Sequence, residues 1–152
     1  YSTFLQSMPR IGVLLSLSRE HHSSLVLARA IKKVVDDNDQ VACQAMVVRI
    51  ESHWHTLLAQ HFAQEECLIL QAKDILDSES IARILAEHAE MRMLAEEKCP
   101  IELTDRLRRF ADLIVTHVRY EERVLFPQLQ AHPCISTEPL FHSIDCVEKD
   151  SS

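Results

Sequence analysis

The pattern HxxxEE occurs twice, as His61-Phe62-Ala63-Gln64-Glu65-Glu66 and as His117-Val118-Arg119-Tyr120-Glu121-Glu122, and no other histidine has a glutamate four places on. In a helix, residues four apart lie one above the other, so His61 stacks with Glu65 and His117 with Glu121. Trp54, Leu57, Leu58 and Leu68 surround the first pair, and Phe110, Leu113, Ile114 and Val124 the second, so both pairs point into a core. A buried carboxylate beside a buried imidazole is costly unless a cation compensates it, and a metal ion is the usual compensation. A fold that accepts this sequence must bring two such pairs inward.

One glycine and five prolines in 152 residues, 47% of them hydrophobic, leave long stretches without a breaker and predict an all-α chain. Helical periodicity runs from about Arg10, with Pro9 in its first turn, to Val35, where Asp36-Asp37-Asn38-Asp39 interrupts it. Asp39 is placed to cap a second helix over 40–73. A third resumes with Ile81, Ile84, Leu85, His88, Met91 and Ala95 and stops before Cys99-Pro100. A fourth opens at Pro100 or Thr104, and Pro127 should end or kink it. Short connections imply an up-down-up-down antiparallel four-helix bundle over residues 1–131. Residues 132–152 are expected to form an irregular or short-helical tail, docked through Leu140, Phe141 and Ile144.

The net charge is −7 and the one basic cluster is Arg106-Leu107-Arg108-Arg109, so no nucleic-acid partner is expected. No apolar run approaches the ~18 residues that span a bilayer, and the first residues lack the order of a secretory signal. A cytoplasmic protein without a membrane partner is the expectation, and a homodimer is compatible with it. The five cysteines, Cys43, Cys67, Cys99, Cys134 and Cys146, are widely spaced with no CxxC, and are expected to be reduced thiols.

The first and third helices each offer an inward donor. Leu14, Leu17, Leu25 and Ala28 lie within about 40° of His21 on a helical wheel, whereas His22 turns to the flank. His88 shares its face with Ile81, Ile84, Leu85 and Ala95. The candidate metal ligands are therefore His21, His61, Glu65, His88, His117 and Glu121. Six N and O donors without a thiolate suit two first-row metal ions bridged by the carboxylates; iron leads, with zinc or manganese tolerated by the same donors. A lone histidine on an apolar stripe is usually a packed core residue; four of them with two carboxylates ask for a shared metal. A ferritin-like centre needs ExxH pairs, and no histidine here has a glutamate three places before it. His53, His55, His132 and His142 fall outside this set, and Met46, Met91 and Met93 read as core filler. Glu66 and Glu122 sit one step round from the ligand face, where a solvated role or one supporting a ligand is expected, with Glu122 able to replace Glu121 if the fourth helix is locally distorted.

Leu17-Ser18-Arg19-Glu20-His21, His61-Phe62-Ala63-Gln64-Glu65-Glu66, Glu87-His88 and the run from His117 to Phe126-Pro127 together resemble the hemerythrin-like (HHE cation-binding) family over about residues 11–130. The resemblance implies a di-iron centre in which Glu65 and Glu121 bridge and His21, His61, His88 and His117 are terminal ligands. Oxygen-carrying members have a second histidine on the third helix where this chain has Ile84, and place the last carboxylate five rather than four residues after its histidine. The pattern here is nearer that of members linked to iron sensing, nitrosative stress and iron-centre repair. The expected function is binding or sensing of O2, NO or iron. An oxidoreductase or iron donor for damaged iron centres, and a metal-free helical interaction module, are the alternatives.

Overall fold

The computed structural model describes residues 12–136, which are helical throughout apart from the short connections, with no strand among them. Helix α1 spans Gly12–Asp36. Helix α2 runs over Gln40–His53, continues through a π-helical turn at Trp54–Leu58 and finishes as Ala59–Gln71. Helix α3 is Ser78–Ala95. Helix α4 is built the same way as α2, from Leu103–Tyr120, a π-helical turn at Glu121–Leu125, and Phe126–Ala131. A short α5, Pro133–Ser136, comes last. Pro9, Leu140, Phe141, Ile144, His142 and Cys146 lie outside the described residues.

Local chemistry sets the ends. The one glycine, Gly12, has φ 56° where the chain enters α1. Asn38, also at φ 56°, closes α1 in the left-handed conformation that asparagine tolerates, with its N–H donated to Val35 O at 3.1 Å. Asp39 caps α2 by accepting from Ala42 N at 3.1 Å, and Asp77 caps α3 by accepting from Ser80 N at 3.3 Å. The cap of α4 is Glu102, which accepts from Asp105 N at 3.0 Å, and not Pro100 or Thr104. A glutamate is a poor N-cap by propensity, which is why sequence reasoning passed over it.

Pro127 neither ends nor breaks α4. It lies just past the π-helical turn, where Phe126 N–H bonds Glu121 O, five residues back. The backbone ladder is already out of register there, so the missing proline N–H falls where the helix is returning to its ordinary spacing.

The apolar interior forms two clusters. One gathers Leu27, Ile31, Ile50, Trp54, Leu58, Phe62, Met91, Leu94, Phe110 and Ile114; the other gathers Val13, Leu14, Leu17, Leu68, Ile69, Leu76, Ile84, Leu125, Phe126 and Leu129. Ile135 of α5 belongs to the second. Leu85, expected inward beside His88, is 42% exposed, and Val124 is only half-buried. The π-helical turn accounts for Val124: the added residue moves the inward stripe of α4 from position 124 to Leu125.

Arg106, part of the basic cluster, is buried rather than presented to a polyanion. Its Nε donates to Leu94 O at 2.6 Å and its Nη2 to Glu96 O at 2.8 Å, so it satisfies carbonyls at the C-terminal end of α3. Arg106→Ala leaves the buried Leu94 carbonyl without this donor and opens a cavity, while Glu96 O keeps the Cys99 N–H at 3.2 Å. We expect a loss of about 2 to 3 kcal/mol in urea denaturation, and an unchanged midpoint would contradict this role.

Cys67 is disulfide-bonded, which corrects the expectation of five reduced thiols, while Cys43 and Cys99 are free. Distance along the sequence carries no information about which cysteines a helical bundle brings within bonding range. Among the described residues no helix is long and apolar enough to cross a membrane.

Candidate metal centre

On each long helix a polar segment separates the two apolar clusters: His21 on α1, His61 and Glu65 on α2, His88 on α3, His117 and Glu121 on α4. All six are buried; Glu65 and Glu121 are fully enclosed at 0% exposure. His22, by contrast, is exposed. The six fall into two groups that could each hold a metal ion, His21-His61-Glu65-Glu121 and Glu65-His88-His117-Glu121, with the donor atoms of a group within 4.8 Å of one another. Both carboxylates belong to both groups.

The oxygens divide between the groups. Glu65 turns Oε2 toward His61 Nε2 at 2.8 Å and His21 Nε2 at 3.4 Å, and Oε1 toward His88 Nε2 at 3.0 Å. Glu121 turns Oε1 toward His21 Nε2 at 2.8 Å, and Oε2 toward His117 Nε2 at 3.0 Å and His88 Nε2 at 3.6 Å. Each carboxylate thus presents one oxygen to each histidine pair, the arrangement a bridging carboxylate requires.

Four of these atoms test whether a cation fits. His61 Nε2, Glu65 Oε2, His117 Nε2 and Glu121 Oε2 are buried and make no hydrogen bond, although the nitrogen and oxygen of each helical pair are 2.8 and 3.0 Å apart. Donor and acceptor are close but aimed past one another. An orphaned buried polar atom costs about 1 to 3 kcal/mol, and a cation between the groups satisfies all four at once. Imidazole and carboxylate without thiolate match a first-row divalent ion.

The outer nitrogens complete the design. His21 donates through Nδ1 to Glu122 Oε2 at 2.7 Å, His88 to Glu66 Oε2 at 2.8 Å, His61 to Glu20 Oε1 at 2.8 Å and His117 to Glu87 Oε1 at 2.7 Å. A carboxylate on Nδ1 fixes the tautomer that leaves Nε2 free to face inward, and raises its basicity. Two of the outer carboxylates are themselves held. Ser18 Oγ donates to Glu122 Oε2 at 2.7 Å, and Arg83 Nε donates to Glu87 Oε2 at 3.2 Å while stacking on Tyr120. The set has a rough twofold symmetry that exchanges α1 with α3 and α2 with α4. His21–Glu122 becomes His88–Glu66, and His61–Glu20 becomes His117–Glu87.

Two phenylalanines brace the inner rings. Phe62 stacks on His88 with centroids 3.8 Å apart, and Phe126 on His21 at 5.0 Å.

Titration reflects this crowding. Burial alone lowers the pKa of an imidazole, but the surrounding carboxylates outweigh it: His61 rises to about 9 and His88 to about 11, and His21 and His117 rise as well. Burial raises Glu65, yet the surrounding imidazoles, the charge of His61 first and then His21 and His88, hold it well below the usual carboxylate range. Glu121 is likewise lowered, against burial and the charge of Glu65, by His117 and His21.

Glu66 and Glu122, expected one step round from the ligand face in a solvated or supporting role, do support His88 and His21, whereas sequence reasoning missed Glu20 and gave Glu87 no role. The signal was present: the residue directly before each inward histidine of α1 and α3 is a glutamate. Glu121 keeps its inward place even though α4 is distorted, because the π-helical turn begins at that residue and displaces only the positions beyond it. Outside the set, His55 is exposed and His53 bonds Ser24 Oγ at 2.9 Å, with its pKa lowered first by burial and then by the charge of His61. His132 is buried, its Nε2 3.2 Å from Asp74 Oδ1.

Removing an outer carboxylate should loosen a ligand without unfolding the chain. Glu87→Ala and Glu20→Ala are each expected to weaken divalent-metal affinity about 10- to 100-fold in chelator competition, with helicity retained. Unchanged affinity in both would remove the orienting role. No protein-family model matches this chain, and neither a curated protein nor a solved structure does.

Proposed function

We propose that this chain is a hemerythrin-like, non-haem dinuclear iron protein that binds or senses O2, NO or iron. The reading rests on one observation: four histidine Nε2 atoms converge on two enclosed carboxylates, each of which offers one oxygen to each histidine pair. His21, His61, His88 and His117 would be terminal ligands, and Glu65 and Glu121 would bridge. An up-down-up-down bundle belongs to the same reading. The order in which the helices meet the two apolar clusters supports it, since α1 and α3 pass from the second to the first and α2 and α4 from the first to the second.

The ligand count leaves room for chemistry. With two imidazoles and two shared carboxylates available to each ion, first-row metals held there would keep open coordination positions. A pair of ferrous ions there would supply vacant positions and a one-electron redox change at each ion. The protein supplies the rest: it orients each imidazole through its outer carboxylate and encloses the centre between apolar clusters containing Phe62, Ile114, Leu17 and Leu125. Apolar surroundings favour a small uncharged diatomic over a hydrated anion, whose desolvation they would not compensate.

Exchange of the metal is the second reading, in which the chain donates iron to damaged iron centres. The outer carboxylates favour it, because Glu66 and Glu20 are 42% and 35% exposed and so link the enclosed histidines to solvent through one hydrogen bond each. Protons displaced by metal loading have a short way out.

Anaerobic loading with ferrous iron should give about two ions per chain, and addition of O2 or NO should change the near-ultraviolet and visible spectrum. Loading without any spectral response to either gas would sink the sensing role. Transfer of that iron to an apo iron-sulfur acceptor, faster than from free iron, would select the donor reading instead.

A further inference from the structure

The second half of α2 and the start of α3 leave between them an apolar groove of about 500 Å³, lined by Glu66, Ile69, Leu70, Lys73, Ile81 and Leu85. Leu70 is 60% exposed and Leu85 42% exposed, so the groove carries large side chains that nothing among the described residues covers. Its charges are ordered. Glu66, Ile69 and Leu70 fall at i, i+3, i+4 spacing along α2, and Lys73 lines the same groove from the turn just past the end of that helix, so the acid and the base stand at either end with leucine between them. Lys73 makes no hydrogen bond or ion pair among the described residues. Glu66 uses Oε2 for His88 Nδ1, leaving Oε1 available.

From this arrangement we infer that the α2–α3 face is the contact surface of a symmetric homodimer, with the groove filled by the same face of a second copy. A twofold axis passing near Leu70, perpendicular to α2, sets the two α2 helices antiparallel. Glu66 then opposes Lys73 of the second copy and Lys73 opposes its Glu66, while the two Leu70 side chains meet at the axis. A contact surface that is its own complement under a twofold is what a closed dimer requires. An acid and a base at the two ends of one groove have that property; two like charges would not. The interface would also cover the Glu66 carboxylate that holds His88. The inference does not depend on which metal the centre takes, or on whether it takes one.

Sedimentation equilibrium and multi-angle light scattering on the full chain test it, with circular dichroism as the check on folding. At about 100 µM, where weak interfaces of standard size are populated, the wild type should have twice the 17.5 kDa mass of one chain. Leu70→Arg and Lys73→Glu, both at exposed positions, should each weaken association at least about tenfold. A charge exchange adds a specific readout. Chains carrying Lys73→Glu repel one another, as do chains carrying Glu66→Lys, but an equimolar mixture restores both opposite-charge pairs and should form a heterodimer. A wild type that stays monomeric at this concentration overturns the proposal. So does a dimer that survives both Leu70→Arg and Lys73→Glu, since it must use another face. A native mass spectrum showing a monomer with a bound amphiphile, lost in Leu70→Arg, would replace the second copy with a small ligand.

Discussion

Glu65→Ala should reduce bound metal from about two ions per chain to less than one, and Glu121→Ala should do the same. The size of the effect comes from sharing. A terminal histidine serves one group of donors, whereas each of these carboxylates faces both, so its removal weakens two sites together. His117→Ala, by contrast, should impair one group and leave the other closer to intact. Metal analysis of protein purified without chelator, with all three variants in parallel, reads the difference. If Glu65→Ala retained full loading, or if the histidine variant lost as much as the carboxylate variants, the bridging assignment would have to be abandoned.

Removing the metal should lower the melting temperature by on the order of 10 °C at neutral pH. Binding at a thousand times the dissociation constant contributes about 4 kcal/mol by linkage, and for a chain of this length each kcal/mol moves the midpoint about 2 to 4 °C. The pH dependence makes this prediction specific. In the stripped protein the four histidines have pKa values raised above the unfolded value of 6.5. Their stabilisation is fully present below that value and is lost as pH rises through the folded values, about 9 for His61 and about 11 for His88. Glu65 and Glu121 are lowered from 4.5, so their contribution is present above 4.5 and is lost as pH falls through the folded values. The stripped centre therefore contributes most between the two unfolded values and weakens toward alkaline pH.

Metal reverses the alkaline trend. The inward Nε2 atoms must give up their protons to coordinate, so affinity rises as pH rises and the stripped form loses those protons. The gap in melting temperature between loaded and stripped protein should widen from pH 6 to pH 9, within the span over which His61 changes charge. Equal melting curves with and without chelator across that range would favour a metal-free helical module.

The sequence by itself determined the helical class, because side chains spaced at 3.6 residues can bury one face only as a helix. It also determined the six inward donors: histidine and glutamate four apart share a face whatever the helix packs against, and the choice of His21 over His22 comes from its place among Leu14, Leu17 and Ala28. The contacts across the bundle were not legible. Which oxygen of Glu65 meets which histidine, that His21 bonds Glu122 and His61 bonds Glu20, that Arg106 closes α3, and that Cys67 is disulfide-bonded all depend on how separate helices are placed beside one another. The π-helical turns belong to the same class. They trade regular backbone bonds for the aim of a side chain, and that exchange is settled by packing between helices rather than by the propensity of the residues that make the turn.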